Sequence, residues 1–267
     1  MRLFTTKSKR SFTLIGVSVV VAVAAAFVIW MYGHGGDDEA GDGASPLEGK
    51  ICVMPIGDVP EEDVAFACDV LAAHLGREAV VFEPLPLQES YYYSERDQYG
   101  AAGFLGYVEA NAPAEAFRVV GLTAEDITIP QLNFLFGMGR CPGKCAVIST
   151  HRLEYYCEGR VPRRVRFAKL IIHELGHTFG LLHCRRPLCA MKFADGYATL
   201  DYTRVALCER CEARLCKMAA LAARERREDI EEVVKRYGLW AGAGGREGMT
   251  PPPAPADLSP EGMEAFR

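Results

Sequence analysis

The stretch HELGHTFGLLHC at 173 to 184, continued by RRPLCAM, constrains this chain more than any other part of it. On a helix, His173 and His177 stand four residues apart, so their imidazoles leave one face a turn from each other and can share a small cation. A catalytically competent zinc takes three protein ligands and keeps one position open, so a third ligand must come from beyond the helix. His183 is the candidate. A continued helix would rotate it away, but Gly180 can adopt positive φ, end the helix and turn the chain back beneath the metal. Glu174 lies beside His173 on the side of the open position, where a carboxylate can take a proton from activated water and pass it to a leaving amine. The chemistry this predicts is peptide-bond hydrolysis without a covalent intermediate. With only 6 histidines in the chain, the full HExxHxxGxxH pattern outweighs a chance pair of surface histidines. The alternative is a non-catalytic zinc site that stabilises a peptide- or protein-binding module.

Directly after His183 come Cys184 and Cys189, then Met191, and further on Cys208 and Cys211 in a CERC unit. Four thiols in two pairs suit a closed tetrahedral zinc site that stabilises folding and catalyses nothing. HELGHTFGLLHC followed by Cys189, Met191 and CERC resembles the archaemetzincin signature, in which a metzincin-type site runs straight into a four-cysteine zinc site. ITIPQLNFLFG, AVISTHRL and ERDQY at 95 to 99 resemble the same family, so the likeness covers roughly residues 50 to 220. It implies an α/β (α+β) metzincin-like fold with a mixed sheet, an active-site helix and a small C-terminal helical subdomain. It also implies two zinc ions per chain: a catalytic one on His173, His177 and His183 with Glu174 as general base, and a structural one on Cys184, Cys189, Cys208 and Cys211. Met191 would then belong to a tight turn under the histidines. On sequence alone it could equally fill the core.

The N-terminus bears on location. Thr13 to Tyr32 carries no charge and as a helix would span roughly 30 Å, one bilayer core. Arg2, Lys7, Lys9 and Arg10 precede it, while Asp37, Asp38, Glu39 and Asp42 follow, which predicts a cytoplasmic N-terminus and an extracytoplasmic domain, periplasmic or at the cell surface. Segment by segment this reads as a basic stretch at 1–10, a transmembrane helix at 11–33, a flexible acidic linker at 34–48, the folded domain at 49–238 and a Gly/Pro-rich tail at 239–267. A cleaved signal peptide, leaving a secreted protein, is the other reading. The partners expected are a peptide or protein substrate and the membrane. A net charge of −5 with no aromatic-studded basic patch excludes nucleic acid. Oligomeric state is left open by the sequence.

Within the domain, ICVMPI, EAVVFEPL, FRVVGLT, IPQLNFLFG and CAVIST read as strands. EEDVAFACDVLAAHLG reads as a helix ending at Gly76, VRFAKLIIHELGHTFG as a second, and EARLCKMAALAARERREDIEEVVKRYG as a third, stopping at Gly238. Six cysteines fall outside the signature: Cys52, Cys68, Cys141, Cys145, Cys157 and Cys216. Outside the cytoplasm, Cys141 and Cys145 could close a disulfide across their Pro-Gly turn, whereas Cys52 and Cys68 read as buried free thiols. The four signature cysteines could instead form two disulfides, giving a stapled scaffold, but thiolates engaged by zinc during folding favour the metal.

Overall fold

The computed structural model describes residues 49–155, 162–220 and 230–237. The segments read as membrane span, linker and tail lie outside these residues, as does Cys157. No helix among the described residues is long and apolar enough to cross a membrane.

The central element is a five-stranded sheet in the order β2-β1-β5-β8-β7, built from Ala79–Val81, Ile51–Ile56, Arg118–Thr123, Cys145–Ser149 and Gly137–Gly139. The first four run parallel, and β7 pairs antiparallel with β8 at the edge, Met138 opposite Val147. Every residue of β1 and β8 is buried, which a parallel strand covered on both faces demands and which explains their unbroken apolar runs. Ile51, Val53, Val120, Leu122 and Ile148 share one core with helices α1 (Glu61–Leu75) and α3 (Arg163–Thr178). The other face receives α2 (Ala101–Asn111), which packs so closely that a Cβ on Gly121 would lie 2.5 Å from Val108. A small sheet, β3 (Tyr92–Tyr93), β4 (Gln98–Gly100) and β6 (Ile127–Thr128), completes the strands. The remaining helices are α4 (Tyr197–Tyr202), α5 (Glu209–Met218) and α6 (Ile230–Arg236).

Several expectations need correction. IPQLNFLFG is not a strand: residues 129 to 136 turn, bridging only at Leu135, and β7 starts at Gly137. Pro130 removes a ladder donor, and the carbonyls of Leu132 and Asn133 accept from Arg96 and Gln98 side chains instead of from a neighbouring strand. EAVVFEPL shortens to Ala79–Val81, because Pro84 and Pro86 break the ladder while Phe82 and Leu85 still donate to Val53 and Pro55. The long C-terminal helix stops at Met218, where buried Ala219 draws the chain inward and Ala220 takes φ 48. The C-terminal helices form no separate subdomain, since Ile230, Val233 and Val234 enter the main core and Tyr237 meets Phe66 edge-on at 5.0 Å. Helices α2 and α4 have no counterpart in the sequence reading; Gly103 and Gly106 dilute the helical signal of the former.

Two of the buried cations on helix α3, Arg166 and Lys169, anchor it toward α4. The fully buried Arg166 forms a bidentate pair with Asp201 and donates to the carbonyls of Leu153 and Tyr155. One turn from His173, Lys169 donates to the carbonyls of Leu200 and Asp201 at the end of α4. Burial pulls the Lys169 ammonium down to about 8, against the attraction of Asp201. Its folded pKa therefore lies below the unfolded 10.5, and between these values the unfolded chain holds a proton that the folded chain has released. In that window stability gains with rising pH. The difference in unfolding free energy between wild type and Lys169→Met, measured by denaturant titration, should increase in favour of wild type from about pH 8 to 10.5 and be flat on either side.

Candidate metal centre

Helix α3 ends as the glycine at 180 allows. Gly180 has φ 75, its N–H donates to His177 O at 2.8 Å and Leu181 N–H reaches Gly176 O at 3.1 Å, the paired bonds of a Schellman turn. The turn has a chemical consequence: it delivers the carbonyl of Leu181 to His177 Nδ1, 2.8 Å away. His173 Nδ1 lies 2.7 Å from the carbonyl of Ala190. A carbonyl oxygen only accepts, so both Nδ1 atoms carry the proton and both Nε2 atoms present lone pairs. Those Nε2 atoms face each other at 3.1 Å. Two acceptors in that position repel unless a cation lies between them, and two ligands at zinc distance on a tetrahedron stand about 3.3 Å apart. His183 comes round from beyond Gly180 so that the ligand atoms of all three imidazoles lie within 4.8 Å of one another. The residues present therefore fit zinc.

The electrostatics agree with that fit. Burial lowers His173, and burial together with the neighbouring imidazoles takes His177 well below its ordinary value and His183 to about 4. All three are neutral near pH 7, the form a metal ligand requires. Glu174 is buried beside them, and burial pushes its carboxyl up to about 8; a cation held by the imidazoles would draw it back to the ionised form that can accept a proton. His183 is exposed and touched edge-on by the Phe193 ring at 5.0 Å, so the cluster opens to solvent on that side.

Met191 is fully buried beneath the helix, where a Cβ on Gly176 would lie 2.4 Å from its sulfur. Gly176 lies between the two helical histidines in sequence, so only a glycine there lets the thioether pack this close to the helix.

The second cluster begins at the next residue. The thiols of Cys184, Cys189, Cys208 and Cys211 lie within 4.8 Å of one another, and the sulfurs of Cys184 and Cys208 are 3.8 Å apart. Two thiolates at zinc distance on a tetrahedron stand about 3.8 Å apart. Cys208 caps α5 and Cys211 lies in its first turn, where the helix dipole favours negative sulfur. Burial works to raise Cys208, yet hydrogen bonds from Cys211, Cys189 and Cys184 bring it down to about 7. Burial and the charge of Cys189 push Cys211 far up. None of the four is in a disulfide.

Backbone joins the two clusters. Cys189 belongs to the thiol set, Ala190 gives its carbonyl to His173, and the carbonyl of Met191 accepts from Cys184 N–H at 2.8 Å. The carbonyls of Ala190 and Leu181 were not foreseen from sequence, because any residue type supplies one. Nor was Cys141, whose buried thiol donates to Leu181 O at 3.8 Å. The expected disulfide between Cys141 and Cys145 is absent: both are free, and Cys141 is instead directed at the 181 carbonyl. Cys52 and Cys68 are free, the first buried and the second partly so.

Known proteins resemble this chain. The model of peptidase family M54 matches residues 108–217. The archaemetzincin of Methanopyrus kandleri is 39% identical over 146 residues, 53% of this chain and 79% of its own length. Its crystal structure superposes with a TM-score of 0.57 at 32% identity, covering 68% of this chain and 99% of that one. The archaemetzincin of Archaeoglobus fulgidus, solved in complex with malonate, gives 0.54 at 28% identity over 62% of this chain and 99% of its own.

Because the cysteine set and the imidazole set share residues 189 to 191, Cys184→Ala should lose activity and stability together. Metal analysis, limited proteolysis and peptide cleavage on the same sample would test this, and an active, protease-resistant variant would count against it.

Proposed function

Since the chain belongs to the archaemetzincin family, peptidase family M54, we propose that it is a zinc-dependent metallopeptidase with Glu174 as its general base. The observation that carries this reading is the pair of Nε2 lone pairs facing each other at 3.1 Å beside a buried carboxylate. His173, His177 and His183 would hold the catalytic ion, and Cys184, Cys189, Cys208 and Cys211 a second, structural one, making two zinc ions per chain. When bound, the first would supply Lewis acidity toward the scissile carbonyl and the attacking water.

The rest falls to the chain's own residues. Ala190 and Leu181 fix the tautomer and orientation of the helical imidazoles through their carbonyls. Glu174 takes the proton from the attacking water and passes it to the departing amine nitrogen, so no covalent acyl intermediate is required. Strand β7 lies alongside. Arg140 N–H donates to Cys145 O and Ser149 N–H to Phe136 O, so the alternation of an antiparallel ladder turns the backbone groups of Gly137 and Gly139 away from β8. An extended peptide could add along that edge through main-chain bonds, next to Glu174.

We also propose that the domain is tethered to a membrane by residues 13 to 32 and faces away from the cytoplasm. The uncharged apolar run and its basic and acidic flanks support this. A protease-accessibility assay on intact cells addresses it directly: protection of the domain would overturn the orientation.

Glu174→Ala should lower cleavage across a mixed peptide library by about a hundredfold or more while leaving zinc content and the unfolding midpoint unchanged. Equal cleavage by variant and wild type would end the general-base assignment.

A further inference from the structure

Strand β7 has the sequence Gly-Met-Gly and crosses α3 at the level of Glu174 and His177. Neither Gly137 nor Gly139 has positive φ, so backbone conformation does not explain the glycines. Space does. A Cβ on Gly137 would lie 2.7 Å from Glu174 Cγ, 2.9 Å from its Cδ and 2.9 Å from its Oε1. A Cβ on Gly139 would lie 2.6 Å from the Glu174 carbonyl oxygen and 2.9 Å from His177 Cβ. The two glycines alternate with the buried Met138 and so present the same face of the strand to the helix.

We propose that Gly137 and Gly139 are positioning residues for the reaction. Their missing side chains form the slot that holds the Glu174 carboxylate against the strand. This rests on the reading of Glu174 as general base.

The two positions have different jobs. The three atoms nearest a Cβ on Gly137 all belong to the Glu174 side chain, so a methyl there displaces the carboxylate first and spares the metal ligands. Gly139 faces the helix backbone and a ligand's Cβ, so a methyl there moves His177 as well.

The test uses the full chain loaded with zinc, and separately with cobalt. Gly137→Ala should lower kcat by ten- to a hundredfold with little change in KM, the scale expected for a misplaced catalytic group. Its metal content and cobalt visible spectrum should match wild type. Gly139→Ala should shift the cobalt spectrum and weaken metal affinity. In a Glu174→Asp background, whose carboxylate is one methylene shorter and withdraws from the strand, Gly137→Ala should cost much less than it does in wild type. Wild-type kcat in Gly137→Ala, or an equal loss in both backgrounds, would overturn the proposal.

Thermal unfolding keeps the test decisive should Gly137→Ala fold poorly. The destabilisation should be relieved when Glu174→Ala removes the clashing side chain, and the absence of any recovery would likewise overturn it. Because this steric coupling is read without activity, it stands or falls separately from the role of Glu174 as base.

Discussion

Two backbone carbonyls determine what the three histidines can do. By accepting from His173 Nδ1 and His177 Nδ1, Ala190 and Leu181 force both rings into the tautomer whose Nε2 lone pairs converge. Without those carbonyls, neutral imidazoles at this distance would share a proton between them. Each carbonyl is placed by a different device. Leu181 is delivered by the turn at Gly180 and also accepts from the Cys141 thiol, whereas Ala190 hangs from the segment between Cys189 and Met191. The open cluster therefore inherits its geometry partly from the closed one.

The sheet provides what these local devices cannot, a fixed helix. Helix α3 is buried along nearly its whole length, so its faces cannot be satisfied by water. The core receives its apolar residues, Asp201 and the carbonyls of residues 153, 155, 200 and 201 receive its cations, and the metal face is left for the histidines. Buried ion pairs of this kind add little net stability against an apolar core, but removing one partner is costly, so they impose one register on α3 and α4. The antiparallel edge strand β7 adds the last wall. It stands beside the helix at Glu174 because two residues in it lack a Cβ.

Legibility in the sequence followed from whether a feature needed particular side chains. Imidazoles four residues apart, a glycine that must turn, and paired thiols are matters of residue type and spacing, and the structure brings those residues together in two clusters. The parallel strands were legible for a similar reason, since burial on both faces compels continuous apolar runs such as ICVMPI. The carbonyls of Ala190 and Leu181 carry no such mark. The segment IPQLNFLFG looked like a strand because its apolar content is high. Its backbone is instead paired by Arg96 and Gln98, from a distant part of the chain, and no local pattern encodes that. Gly137 and Gly139 were silent because a strand glycine usually signals a bulge or a weakness, and the close approach of a helix is visible only in three dimensions.

The contrast between the clusters follows from what surrounds them. Around the thiols, Cys189 and Cys211 are buried and the chain from 184 to 208 holds only the short helix α4, so little regular backbone hydrogen bonding is available to order it. A closed metal site suits such a segment, since its binding free energy is spent on folding. Around the imidazoles the framework is already rigid, and ordering by metal is not needed. There His183 stays exposed and one side is open, with the Glu174 carboxyl buried in the same turn of helix α3. Because His183 and Cys184 are adjacent and Ala190 follows Cys189, a metal held by the thiols would also fix the end of the loop that carries His183 and the carbonyl that orients His173.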